Sequence, residues 1–159
     1  APQYQAGSYK EAFADIESAW LNGDIDPIRK HLKNDDIKIA VSLKGKYAYS
    51  IASSDWADIT RDAFDHLQTV SFQFTLLRFQ KNGDITGYAT HVYTSATKDG
   101  DKQDTMYLAY TLRHRNNLWY IVSVNTSPNP LIKEQAGSPA GASDDTAKPS
   151  DKGSSDSGS

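Results

Sequence analysis

The chain has no cysteine among its 159 residues, which excludes disulfides, thiolate nucleophiles and cysteine-ligated zinc. That absence fits a reducing and an oxidising compartment equally. No apolar run is long enough to span a bilayer. Lys and Arg nowhere gather into a stripe, and with a formal net charge of -3 the chain lacks the basic footprint of a nucleic-acid binder. No Gly-x-Gly-x-x-Gly, P-loop or Gly-x-Ser-x-Gly is present, so nucleotide cradles and serine-hydrolase elbows have no support. His31, His66 and His114 are scattered, and none stands in a spacing such as His-Glu-x-x-His. No metal site and no cofactor are expected.

Large side chains are missing from residues 136–159, which contain only Ala, Gly, Ser, Pro, Asp, Thr and Lys. Such a segment cannot bury enough apolar surface to offset the entropy of ordering it. The expected organisation is an N-terminal arm over residues 1–7, one domain over 8–132, and a disordered polar tail over 133–159. The start at Ala1-Pro2, small and without Met, fits a cleaved export signal or a trimmed chain, and a periplasmic or extracellular location is expected.

What is present reads as an α+β domain, with three N-terminal helices on one face of a curved antiparallel sheet. Ser8 and Glu11 form a capping box, Ala12, Phe13, Ile16, Ala19 and Trp20 recur at helical spacing, and Asn22-Gly23 ends the run. A short second helix begins at Asp26-Pro27, carries Ile28 and Leu32 inward, and stops near Asn34. Ile37, Ile39 and Val41 alternate as a strand, Lys44-Gly45-Lys46 turns the chain, and Tyr47, Tyr49 and Ile51 return. A third helix starts at Ser53 or Ser54 and buries Trp56, Ile59, Ala63, Phe64 and Leu67. Its Asp55, Asp58, Asp62 and Asp65, with Arg61 among them, read as a solvated face.

Four strands follow, at about 69–80, 84–98, 104–115 and 118–126. They are joined at Asn82-Gly83, Asp99-Gly100 and Asn116-Asn117, pairs suited to positive φ in tight hairpins. Taking Lys81 opposite Asp84, Lys98 opposite Asp101 and Arg115 opposite Leu118 fixes which residues share a face. His91 then faces Phe74 and Leu108, Tyr93 faces Phe72 and Met106, Leu112 faces Ile121, and Tyr110 faces Ser123. The inner face collects these together with Leu76, Ala89 and Trp119. The outer face collects Gln73, Thr75, Tyr88, Thr90, Val92, Tyr107, Ala109, Thr111, Tyr120, Val122 and Val124. That set is too polar for a core and too apolar to be merely wet.

The order helix, helix, strand pair, helix, four-strand meander resembles the NTF2-like superfamily, the cone fold of nuclear transport factor 2, ketosteroid isomerase and the SnoaL-like proteins. The closing stretch Asn117-Leu118-Trp119-Tyr120-Ile121-Val122 is similar to the Gly-x-Trp-x-Ile last strand common there. The resemblance covers residues 8–127 in element order. It implies a pocket between the concave sheet face and the helices, and a homodimer through the convex face. That interface would use Tyr88, Thr90, Tyr107, Ala109, Thr111, Tyr120, Val122 and Val124.

His91 is the candidate catalytic residue, because an imidazole beside a cavity can move a proton near neutral pH. A core histidine held by one hydrogen bond is the plainer alternative. Tyr93, Tyr110, Ser123 and Asn125 join His91 as candidate ligand-binding residues at the pocket mouth, although tyrosines also pack as large apolar groups. Three readings stay open. The first is a non-enzymatic accessory or binding module, dimeric, holding a small apolar or amphipathic ligand. The second is a lyase or isomerase with His91 as base, and the third an interaction domain whose cone is filled by its own aromatics.

Overall fold

The computed structural model of the chain describes residues 8–32 and 37–136. The expected N-terminal arm, the helix stop at Asn34 and the tail from residue 137 lie outside the described residues. Helix α1 (Tyr9–Asn22) begins where the Ser8 hydroxyl accepts from the amides of Lys10 and Glu11. It ends at Gly23, whose φ of 63° is left-handed backbone that glycine adopts without strain. Ala12, Phe13, Ile16, Ala19 and Trp20 are all buried, as their spacing predicts. The Glu11 carboxylate reaches the Lys30 ammonium at 2.6 Å. Helix α2 (Asp26–Arg29) is one turn started by Pro27.

Strands β1 (Lys38–Leu43) and β2 (Lys46–Ala52) form a hairpin, followed by α3 (Ser53–His66). The buried stripe of α3 runs through Ser53, Trp56, Ala57 and Thr60, with Ala63 and Phe64 half-buried. Ile59, expected inside, is 54% exposed. Strands β3 (Leu67–Phe79), β4 (Ile85–Thr97), β5 (Gly100–Arg115) and β6 (Leu118–Ser127) make the meander, and α4 (Lys133–Ala136) closes the described chain. The curved, open sheet has the order β2-β1-β6-β5-β4-β3. It is not wholly antiparallel as expected, since β1 runs parallel to β6 from Ala40 opposite Ser123 to Leu43 opposite Thr126.

Three turns and three bulges set the faces of the meander, one of the bulges lying between Thr69 and Ser71. Asn116 and Asn117 both take positive φ, and Arg115 opposes Leu118 as expected. The β4–β5 turn is centred on Lys98-Asp99 instead of Asp99-Gly100, because Thr97 pairs with Gly100. The register therefore slips by two residues and keeps its parity. His91 opposes Met106, Tyr93 opposes Asp104, and Tyr110 opposes Gly87. Phe79 pairs with Ile85, one residue off the expected register, and a bulge between Phe74 and Leu76 restores the parity beyond it. Phe72 thus opposes His91, and Leu77 packs on the core where Leu76 was expected. Gly87 is needed there: a Cβ would come within 2.5 Å of the Phe13 ring.

The third bulge, at Thr111/Leu112, shifts β6. Leu112 opposes Ile121, but Tyr110 opposes Val124 and Thr111 opposes Ser123. Val124 thereby enters the main core, while Ser123 and Asn125 turn outward.

Candidate functional site

The expected pocket lies between the inner sheet face, α1 and α3. Rings fill it. Trp20 lies parallel to Phe72, with centroids 5.5 Å apart and planes 2° apart, and meets Phe64 edge-on at 4.8 Å. Its indole N–H donates to the Tyr110 hydroxyl at 2.9 Å. Tyr110 is fully enclosed, and burial pushes its phenol above the usual range. Trp56 and Phe74 stand edge-on to that phenol, each at 6.0 Å.

His91 belongs to the same cluster. Its ring centroid is 4.7 Å from that of Trp20, 5.3 Å from Phe72 and 5.0 Å from Tyr93. Its Nε2 lies 2.8 Å from the Thr69 hydroxyl. Burial lowers its pKa from 6.5 to about 4, so the ring is neutral at neutral pH and a weak proton acceptor. Tyr93 is half-buried, and burial first and Asp104 second push its phenol up.

The structure thus brings His91, Tyr93 and Tyr110 onto one face. Ser123 and Asn125 do not join them: both face outward, and the Asn125 side-chain oxygen accepts from the Gly45 amide at 3.2 Å. Near Thr69 the mouth of the cone keeps a cleft of about 290 Å³, lined by Trp20 to Gly23, Phe64 and Leu67 to Thr69. This falls just short of the roughly 300–1,000 Å³ typical of pockets that enclose a small ligand.

A His–Asp pair exists elsewhere. His31 is 2% exposed, and its Nε2 lies 2.8 Å from an Asp15 carboxylate oxygen. Its Nδ1 lies 2.8 Å from the Trp119 carbonyl. Both ring nitrogens are thus engaged by oxygens of the chain itself, which gives this histidine a structural role. Lys30 approaches Asp15 at 3.2 Å. The pair clamps α1, α2 and β6 together, as does the Ile121 amide on the His31 carbonyl at 3.1 Å. One sequence signal pointed to it: Glu11 and Asp15, like charges at i and i+4, ask for a nearby cation.

The outer face is largely covered by the chain itself. Of the eight residues expected at a dimer interface, Val124 lies in the main core instead. Thr90, Ala109, Tyr120 and Val122 are buried within the single chain, and Tyr88, Tyr107 and Thr111 are half-buried. Tyr120 and Val122 pack with Ile37 in a small second cluster. Arg78 lies over the Tyr88 ring, 5.6 Å from its centroid, and meets Glu134 at 3.6 Å, which places α4 on this face. Gln135, 1% exposed, donates to the carbonyls of Ala89 and Leu108 and accepts from the Leu131 amide. The folded chain therefore reaches Ala136, beyond the expected boundary at Ile132. Between the Ile37 cluster and β4 lies a cleft of about 400 Å³, lined by Lys38, Asp84, Arg113, Arg115 and Ser123 among others. Among the described residues no helix is long and apolar enough to cross a membrane.

No protein-family model matches the chain, and no curated protein matches it in sequence. Solved structures do match in shape. A ketosteroid isomerase-like protein from Erwinia carotovora atroseptica superposes with a TM-score of 0.57 at 12% identity, covering 75% of this chain and 91% of that one. An NTF2-like protein of unknown function in nutrient uptake, from Rhodospirillum rubrum, gives 0.51 at 14% identity, covering 73% and 93%. At such identities the likeness carries the fold alone, and the fold is NTF2-like.

Proposed function

On this NTF2-like fold, we propose a non-enzymatic accessory module whose cone is filled by its own side chains and whose working surfaces lie outside. The observation that carries the reading is the Trp20 indole. It packs against the inner sheet face, stacked on Phe72 and hydrogen-bonded to Tyr110. A group packed on two sides and tied at its nitrogen fills the space between Phe72 and Tyr110 that a substrate there would need. The lyase or isomerase reading also loses its base, because His91 bonds a neutral hydroxyl and burial makes it a weak acceptor. Self-association through the outer sheet face, implied by the resemblance, would rest on Tyr88, Tyr107 and Thr111 beside α4.

Native mass spectrometry of the freshly purified full chain tests this. The expected result is the bare chain with no apolar ligand. A co-purifying ligand whose removal shifts the NMR signals of Trp20, Phe72 and His91 would overturn the filled-cone reading.

A further inference from the structure

The outer cleft gathers cations on both banks. Arg113 and Arg115 stand two residues apart on one face of β5, roughly 7 Å from each other. Lys38 stands on β1, across β6; with Ala40 opposite Ser123 it is level with Ile121, so Arg113 lies roughly 10 Å away and Arg115, opposite Leu118, roughly 14 Å. The floor between them carries Val122 and the Ser123 hydroxyl.

The charges are not balanced. Asp84, 6% exposed, takes Arg113 through two bonds, from Nε at 3.2 Å and from Nη2 at 3.0 Å. That pairing neutralises Arg113 and fixes its plane, leaving Nη1 free of Asp84. Among the described residues neither Lys38 nor Arg115 has an ion-pair partner. Two uncompensated cations therefore share one cleft with a hydroxyl and an oriented guanidinium.

We propose that this cleft binds a small molecule through an oxyanion, a carboxylate or phosphate group, reached by Lys38 and Arg115 from its two banks, with Ser123 on its floor at the end near Ala40 and Thr111. Arg113, positioned by Asp84, contributes the edge of the site. A duplex nucleic acid does not fit this geometry, because the cationic area is confined to one cleft of about 400 Å³ on a chain of net charge -3. The site stands on the face opposite the cone, so it does not depend on whether the cone is filled.

The test is an amide NMR titration of the full chain at low salt, first with inorganic phosphate and then with succinate. Saturable shifts at Val122 and Ser123 are expected with at least one of them, and the arm that saturates at lower concentration identifies the oxyanion. A Lys38→Gln/Arg115→Gln variant should bind about tenfold more weakly or worse. Arg61→Gln, an exposed change on α3, should leave binding unchanged. Both changes in the double variant are at exposed positions, and an unaltered melting temperature establishes that it folds. Non-saturating shifts in both titrations would overturn the proposal, as would equal affinity in the double variant.

Discussion

The two faces of the sheet bury their side chains in different ways. Inside, Trp20, Phe64, Phe72, Phe74, His91 and Tyr110 contact one another ring to ring, and the buried indole N–H donates to the phenol oxygen. Outside, small groups from distant parts of the chain do the covering: Ile37 ahead of β1 and Gln135 after β6. One face is a core in the usual sense. The other is a surface that Ile37 and Gln135 partly close, with a cationic cleft left open. Mutational cost should therefore concentrate inside and ligand sensitivity outside.

The hardest test of that contrast is Trp20→Ala. It deletes a ring with a stacked partner and strands the Tyr110 hydroxyl, so a loss of about 3–5 kcal/mol in denaturant unfolding is expected. The variant should also open an apolar cavity that free indole can enter, raising its melting temperature. Tyr47→Ala on the exposed edge strand β2, where Tyr47 is 66% exposed, should change stability by under about 0.5 kcal/mol. Equal costs at the two positions would remove the distinction.

Next in size is the pH response of His91. Its native pKa of about 4 lies below the unfolded value of 6.5, so the unfolded chain takes up a proton that the native ring refuses. Its contribution is therefore favourable above about pH 6.5 and is lost progressively as pH falls towards 4. The whole difference is about 3 kcal/mol. Thr69 and the rings of Trp20, Phe72 and Tyr93 face the imidazole and offer no charge to hold a proton there. Subtracting the stability profile of His91→Gln isolates this slope from that of the carboxylates. A flat difference between pH 4 and 6.5 would mean that the ring reaches water.

How far this contrast could be read beforehand differs by face. The helix signals of Ser8 and Gly23 and the five inward residues of α1 were legible, because caps and 3.6-residue spacing are local. Inner and outer parity survived even where the β4–β5 register slipped, since a two-residue slip keeps every side chain on its side. The bulges were not legible. Leu76 and Leu77 are chemically alike, as are the choices around Ser123 and Val124, so no pattern marks where the extra residue sits. Nor does composition separate Gln135 from the polar tail, because side-chain bonds to backbone carbonyls bury it. His31 and Asp15 come together only through tertiary packing, which no local spacing marks.

The smallest expected effects sharpen the comparison most, because they remove the same atom from each face. Tyr110→Phe deletes an inner hydroxyl that accepts the Trp20 N–H, leaving a buried donor unpaired at a cost of about 1–3 kcal/mol. Thr90→Val deletes an outer hydroxyl that is 2% exposed and has no hydrogen-bond partner among the described residues. The native threonine already bears the cost of that unmade bond, so the valine variant should be neutral or more stable by up to about 1 kcal/mol. The two changes should thus have opposite signs in one denaturation series. If Thr90→Val is instead destabilising, its hydroxyl has a partner, and the cover over the outer face is more specific than Gln135 alone makes it. Deleting Gln135 as well would then decide whether that partner belongs to the C-terminal segment, because the two losses would not add if it does.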